Sequence, residues 1–119
     1  MDFNAYMGIE ILEVNENAAF GKMMFRKELS DFLGHMTGSA YSALADAVGG
    51  ACARATGAVY VTQGCSLQFY VSTEASDVCL FASAKVRHRG SRTCIVAVEL
   101  THADGTVVCD GQYSYAKIS

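Results

Sequence analysis

The stretch that decides the fold of this chain is Gly38-Ser39-Ala40-Tyr41-Ser42-Ala43-Leu44-Ala45-Asp46-Ala47-Val48-Gly49-Gly50-Ala51-Cys52-Ala53. Every side chain in it except Asp46 is small, apolar or hydroxylic. Wound as a helix, the stretch carries apolar residues on nearly every face, which is typical of a segment buried all round. We therefore predict a central helix from about Gly38 to Arg54, with Thr37 or Ser39 as its N-cap.

Asp46 is the exception within this helix. It lies two turns from the helix start, where the helix dipole no longer favours a negative charge. Burying a carboxylate costs several kcal/mol unless it is paired or hydrogen-bonded, and catalysis is a common reason to keep one. A desolvated carboxylate is also a stronger base. The alternative is a structural Asp46 bonded to neighbouring backbone or to another subunit.

Composition excludes several classes of protein. The chain has 119 residues, which suits one domain over 1–119, and 51% of them are hydrophobic. A net charge of -3 gives no basic face for nucleic acid. No uninterrupted apolar run reaches the roughly 18 residues of a membrane span. Five dispersed cysteines without a C-x-x-C pair, and no visible signal peptide, predict a cytoplasmic protein without a metal site.

Alternating apolar and polar residues predict strands on both sides of the helix. Asn15-Glu16-Asn17 predicts a turn between the first two strands, and Asp104-Gly105 predicts a hairpin between the last two. The resulting order β-β-α-β-β-β indicates an α+β protein, with a curved antiparallel sheet wrapped around the helix. The predicted strands are Gly8–Asn15, Ala18–Phe25, Val59–Val71, Asp77–His88, Thr93–His102 and Val107–Lys117.

The local residues sharpen this layout. Asp31-x-x-Gly34-x-x-Thr37-Gly38-Ser39-x-x-x-x-Leu44-x-Asp46 resembles, without a gap, the Asn-x-x-Gly-x-x-His-Gly-Gly…Leu-x-Asp pattern of the hot-dog fold PaaI-like acyl-CoA thioesterases. Three further pieces resemble that family in the same order, so that the resemblance spans about Gly8 to Ala116. They are Val61-Thr62 with Leu67-Gln68-Phe69-Tyr70, the basic turn Arg89-Gly90-Ser91-Arg92, and Asp104-Gly105.

The resemblance implies roles for three residues. Asp46 would be the general base or nucleophile, and the Gly38 backbone N–H at the helix start would stabilise the oxyanion. Thr62 would orient the attacking water or the carboxylate. The alternatives are an ordinary helix-entry glycine and a β-branched residue chosen for strand packing.

The chain departs from the family pattern at three positions. Asp31 replaces an asparagine, and an ionised carboxylate cannot donate a hydrogen bond to an oxyanion. Thr37 replaces a histidine, and His35 is the nearby residue that could supply the lost donor. Ser39 replaces a glycine and adds a hydroxyl that could also cap the helix. These four residues are predicted to line the substrate site.

The basic turn is predicted to hold the phosphates of coenzyme A through Arg89, Gly90, Ser91 and Arg92. The alternative is a solvated surface turn. No cofactor is implied, because coenzyme A enters as part of the substrate.

The resemblance also implies an assembly and an activity. Exposed sheet edges favour pairing with a second copy, and hot-dog proteins form active sites across a dimer interface, so a homodimer and then a homotetramer are expected. The predicted activity is hydrolysis of an acyl- or aryl-CoA thioester. Two alternatives are a non-catalytic binder of acyl-CoA or a related small ligand, and an enoyl-CoA hydratase or dehydratase using His35.

Overall fold

A computed structural model describes residues 1–119 and confirms the predicted order of elements. A short helix α1 (Phe3–Met7) precedes strands β1 (Ile9–Val14) and β2 (Ala18–Met24). The long helix α2 (Gly38–Arg54) follows, with the bounds predicted from the sequence. The remaining strands are β3 (Tyr60–Phe69), β4 (Cys79–Arg89), β5 (Thr93–Thr101) and β6 (Val107–Lys117).

The six strands form one antiparallel sheet in the order β1-β2-β4-β5-β6-β3. Strands β2 and β3 are consecutive in the sequence, but β3 lies at the far edge of the sheet. Helix α2 connects them across one face of the sheet and contacts all six strands. This is the hot-dog arrangement that the sequence predicted.

Small residues let α2 lie close to the sheet. A Cβ placed on Gly21 of β2 would lie 2.7 Å from Val48 Cγ2 of the helix. Leu44 and Val48 are fully buried, as are Val96 and Leu100 of β5. The helix packs against the sheet over most of its circumference, and this contact is the centre of the core.

One stripe of α2 is less buried than the sequence predicted. Ser39 is exposed, and Ser42, Ala43 and Asp46 are only partly buried. These positions follow the three- and four-residue spacing of a single helix face. The expectation of a helix buried all round, with Asp46 enclosed, is therefore wrong for this face, because the edge strand β3 does not cover it.

Strand β3 exposes both its edge and apolar side chains. Val61 is 44% exposed and Phe69 is 49% exposed, and Tyr70 just beyond the strand is 56% exposed. None of the helices is long and apolar enough to cross a lipid bilayer.

Candidate active site

Asp46 and Thr62, which the sequence predicted to act together, are in contact. The Thr62 hydroxyl donates to Asp46 Oδ1 over 2.8 Å. Thr62 lies on the edge strand β3 and is exposed, while Asp46 is partly buried. The carboxylate is thus held by a hydrogen bond at a place that remains open to solvent.

A second donor to Asp46, Tyr115 of β6, was not predicted. Its hydroxyl lies 3.2 Å from Asp46 Oδ1 and 3.1 Å from the backbone carbonyl oxygen of Asp46. Burial, followed by the nearby Asp46 carboxylate, raises the pKa of Tyr115, so its hydroxyl keeps its proton and donates. Tyr113, two residues earlier on the same strand, points to the same side of the sheet and is also buried.

A signal for Tyr115 does exist in the helix sequence. A Cβ placed on Gly49 would lie 2.6 Å from the Tyr115 hydroxyl oxygen. Gly49 costs helix stability relative to alanine, and the close approach of a tyrosine explains why it is there. Gly49 inside a buried helix is therefore the sequence feature that could have indicated a close contact with a large side chain such as Tyr115.

Gly38 is the first residue of α2, and Thr37 caps it by accepting a hydrogen bond from Ala40 N over 3.3 Å. The Gly38 N–H has no acceptor within the chain, as is usual in the first turn of a helix. A Cβ at Gly38 would meet no atom within 4 Å, and its φ is not positive. Neither backbone strain nor crowding within the chain requires a glycine there.

Gly38 shares a cavity of about 320 Å³ with Asp31 and His35. The remaining lining residues come from the loop, the helix and the end of β3, and are Met36, Tyr41, Phe69, Tyr70, Val71 and Ser72. Thr37 and Ser39 instead line a separate, mostly apolar cavity of about 700 Å³ beneath α1.

Asp31 is turned toward its own loop. Its Oδ1 accepts hydrogen bonds from Leu33 N over 2.8 Å and from His35 N over 3.1 Å. This closes the turn that leads into Thr37 and Gly38. The carboxylate at this position is thus engaged by local backbone donors rather than directed at the Gly38 N–H.

His35 is partly buried and paired with a carboxylate. Its Nε2 lies 3.1 Å from Glu74 Oε1. Glu74 was not identified from the sequence, because it lies 39 residues further along the chain. Nowhere are three or more His, Cys, Asp or Glu side chains grouped so that they could hold a metal ion.

Within the basic turn Arg89–Arg92, Arg89 makes structural contacts inside the protein. The guanidinium of Arg89 points inward and donates to the carbonyl oxygens of Ala53 over 3.0 Å and Glu16 over 2.8 Å. It also lies 5.8 Å from the ring centroid of Tyr60. The prediction that Arg89 holds a phosphate is therefore corrected, because its donors are used to cap the C-terminus of α2.

The remaining residues of the turn include an exposed positive charge, Arg92. Gly90 closes the β4–β5 hairpin by donating to Thr93 O over 2.8 Å. Ser91 and Arg92 are exposed, and together with Lys117 they line a shallow cavity of about 350 Å³. Lys117 was not identified from the sequence.

Asp46 lies eight residues after Gly38, which separates the two along α2 by about 12 Å, at 1.5 Å per residue. A thioester carbonyl in contact with the Gly38 N–H therefore lies beyond the reach of Asp46 in the same chain. Only a neighbouring chain could bring the two groups to one carbonyl.

The fold, with an acid on the central helix beside an edge strand, defines a hot-dog protein of the thioesterase type. A family model described as the thioesterase superfamily matches residues 33–109. This is more than half of the chain, and the chain belongs to that superfamily. A sequence search among curated proteins found no match.

Solved structures agree on the fold. AziG of S. sahachiroi is 21% identical, with a TM-score of 0.94 over 99% of this chain and 97% of that one. The E. coli PaaI protein from the phenylacetic acid degradation operon is 22% identical, with a TM-score of 0.92 over 98% and 83%. A hypothetical thioesterase protein with coenzyme A from Streptococcus pneumoniae is 19% identical, with a TM-score of 0.87 over 93% and 86%.

Proposed function

We propose that the protein hydrolyses an acyl- or aryl-CoA thioester to the free acid and coenzyme A. The observation that carries this proposal is the hydrogen-bonded Asp46–Thr62 pair at the open edge of the sheet, in a member of the thioesterase superfamily. The fold shared with the S. pneumoniae protein solved with coenzyme A supports this class of substrate.

The site that we propose is shared between two copies of the chain. Gly38 and Asp46 of one chain are too far apart to act together. Strand β3 offers an unpaired edge and exposed apolar side chains beside Asp46, and such edges pair with a second copy. Pairing across β3 would let the Gly38 cavity of one protomer receive Asp46 of its partner. Assembly to a tetramer stays a prediction.

In the proposed reaction, the thioester carbonyl accepts a hydrogen bond from the Gly38 N–H at the positive end of α2. As general base, Asp46 takes a proton from water while the water oxygen bonds to the carbonyl carbon. The C–S bond then breaks, and the coenzyme A thiolate takes up a proton. As nucleophile, an Asp46 carboxylate oxygen would instead bond to the carbonyl carbon, the C–S bond would break to release the coenzyme A thiolate, which takes up a proton, and water would then hydrolyse the resulting mixed anhydride.

The two versions differ in the origin of one oxygen atom. In H₂¹⁸O under single-turnover conditions, general-base catalysis puts ¹⁸O into the product acid. Nucleophilic catalysis with attack of water on the anhydride at Asp46 puts the label into the protein, where mass spectrometry of the Asp46 peptide detects it.

Ser91, Arg92 and Lys117 are proposed to hold the coenzyme A phosphates in place of Arg89. Arg89 bonds to Ala53 O, seven residues beyond Asp46, so the turn lies about 10 Å further along the helix axis than Asp46 of the same chain. The protomer that supplies Asp46 would therefore also supply the phosphate contacts.

The first test is a panel of CoA thioesters assayed by release of the free thiol. Turnover by the wild type, with a loss of about 100-fold or more for Asp46→Asn, is the expected result. Equal rates in the two proteins would overturn the catalytic role of Asp46. Calorimetric binding of CoA thioesters without turnover by the wild type would instead favour the non-catalytic binder.

The second test removes the Gly38 donor alone. Proline suits the first position of a helix, and the extended backbone of Thr37, with φ -73° and ψ 153°, suits a residue before proline. Gly38→Pro should therefore fold normally but lose about 100-fold in kcat. Gly38→Ala, which keeps the N–H, is the matched control and should lose much less. Equal losses would mean that the N–H is not the oxyanion donor.

One observation supports a second candidate function. His35, which lines the Gly38 cavity, is paired with Glu74, and hydration of a double bond uses such a His–acid pair. An enoyl-CoA hydration assay separates the two functions. Hydration that His35→Asn abolishes, without thioester hydrolysis, would favour the hydratase.

A further inference from the structure

We propose that Tyr115 is a positioning residue for Asp46, and that Gly49 is a glycine in order to admit the Tyr115 hydroxyl. The proposal rests on the proposed role of Asp46 as the reacting carboxylate. Tyr115 itself touches no substrate in this scheme and acts only through Asp46.

Two donors hold the same oxygen of the carboxylate from different strands. Thr62 of β3 and Tyr115 of β6 both direct a hydroxyl to Asp46 Oδ1, over 2.8 Å and 3.2 Å. Oδ2 receives no hydrogen bond from within the chain. Fixing Oδ1 in this way leaves Oδ2 free to accept from a water molecule, which a general base requires.

The Tyr115 hydroxyl also holds the backbone of Asp46. Its single O–H proton is shared in a three-centre hydrogen bond between the Asp46 carbonyl oxygen at 3.1 Å and Oδ1 at 3.2 Å. Tyr115 is fully buried, and packing restricts its ring. A rigid aromatic group therefore fixes both the position of Asp46 and the direction in which its carboxylate points.

Gly49 makes this approach possible. A Cβ at Gly49 would lie 2.6 Å from the Tyr115 hydroxyl oxygen but 3.4 Å from Val98 Cγ1. The severe conflict is thus with the hydroxyl alone. The neighbouring Gly50 differs, because a Cβ there would meet the flexible end of Arg54.

Tyr113 provides a natural comparison. Its hydroxyl donates to Ser42 O over 3.1 Å, one helical turn before Asp46, and the residue is also buried. It makes the same kind of bond from strand to helix without reaching the carboxylate. The other titratable groups near the Asp46–Tyr115 contact are Tyr113, Cys65 on β3 and Arg54 on α2.

The central test compares Tyr115→Phe with Tyr113→Phe. Both variants lose one buried hydroxyl and should be destabilised to a similar extent. Only Tyr115→Phe should lower kcat, by about tenfold with KM nearly unchanged, because a bond to a charged group is lost. Equal kinetic effects of the two variants would overturn the proposal.

A double-mutant cycle tests the role of Gly49 through stability alone. Gly49→Ala should lower the denaturation midpoint strongly in the wild type but only slightly in Tyr115→Phe, where the conflicting hydroxyl is absent. Gly50→Ala is the matched control and should behave alike in both backgrounds. Additive effects of Gly49→Ala and Tyr115→Phe would show that Gly49 does not serve Tyr115.

A measurement that does not depend on catalysis tests the role of Tyr115 separately from the proposed thioesterase activity. Crystal structures of the wild type, Tyr115→Phe and Tyr113→Phe compare the orientation of the Asp46 carboxylate directly. The carboxylate should keep one orientation in the wild type and in Tyr113→Phe but rotate or lose its order in Tyr115→Phe. An unchanged carboxylate in Tyr115→Phe would refute the positioning role even in an active enzyme. A displaced carboxylate in a protein that hydrolyses no thioester would keep the contact and reject the hydrolase.

Discussion

At the scale of single residues, the geometry of Asp31 explains a substitution that the sequence left open. The carboxylate accepts from two backbone N–H groups and closes the loop before Gly38. Only Oδ1 is used in these bonds, and an amide oxygen could accept them equally well. The Asp31 carboxylate therefore accepts the hydrogen bonds that close the loop, but it has no N–H or O–H to donate into the Gly38 cavity when it is ionised.

We expect Asp31→Asn to be more active than the wild type. The asparagine oxygen keeps the two loop bonds, while its NH₂ adds a donor beside the Gly38 N–H. The gain in kcat should be up to about tenfold, equivalent to about 1.4 kcal/mol of transition-state stabilisation. Thioesterase kinetics measure it, with Asp31→Ala as the control that loses the loop bonds. A lower kcat in Asp31→Asn would mean that the negative charge itself is needed.

At the scale of elements, Arg89 ties three parts of the fold together. From β4 it reaches the last turn of α2 at Ala53 and the β1–β2 turn at Glu16. A cation at the C-terminus of a helix is favoured by the helix dipole and satisfies carbonyls that have no partner in the helix. The same turn carries Arg92, whose exposed side chain is the one proposed to bind a phosphate.

Arg89→Ala should lower the free energy of unfolding by about 2 kcal/mol, because charged hydrogen bonds to partly buried carbonyls at the end of α2 are lost. Arg92→Ala should change stability by less than about 0.5 kcal/mol, as expected for an exposed side chain. Its effect should be a higher KM for CoA thioesters and a weaker dependence of KM on salt. Urea denaturation and kinetics at two salt concentrations distinguish the variants. A raised KM in Arg89→Ala together with a loss of stability in Arg92→Ala would instead assign the phosphate contact to Arg89.

At the scale of the whole molecule, the separation of Gly38 from Asp46 makes assembly part of the proposed chemistry. Helix α2 is rigid, so flexibility within one chain cannot close the gap of about 12 Å. The edge strand β3, next to Asp46, is the surface through which a second copy could close it.

Mixing two inactive variants tests this shared site. Asp46→Asn and Gly38→Pro, refolded together, should regain about a quarter of wild-type activity, because half of the dimers are mixed and each has one intact site. Asp46→Asn mixed with the double variant Asp46→Asn/Gly38→Pro is the control and should regain none. Mixed oligomers without activity would contradict a site formed between protomers.

The core of the molecule also predicts sensitivity to alkali. Burial raises the pKa of the Cys109 thiol from 9.0 to about 11, and it also raises the pKa of Tyr113 and of Tyr115. Because the folded pKa exceeds the unfolded one, the stabilisation is fully present below pH 9 and is lost as pH rises through about 11. Urea midpoints should be constant from pH 7 to 8.5 and fall by pH 10.5. A constant midpoint across this range would contradict the burial of these groups.

The sequence by itself determined the order of the elements and the bounds of α2. Through resemblance it also predicted that Thr62 orients either a water molecule or the Asp46 carboxylate. Helix and strand periodicity are local properties of the chain, and caps and turns lie within a few residues of the elements they end. Only the tertiary structure decided that Arg89 points inward, that Tyr115 reaches Asp46 and that one stripe of α2 stays open. The partners in these hydrogen bonds lie 69 and 73 residues apart. Which buried donor meets which acceptor depends on how the sheet curves around the helix, and local patterns do not encode that.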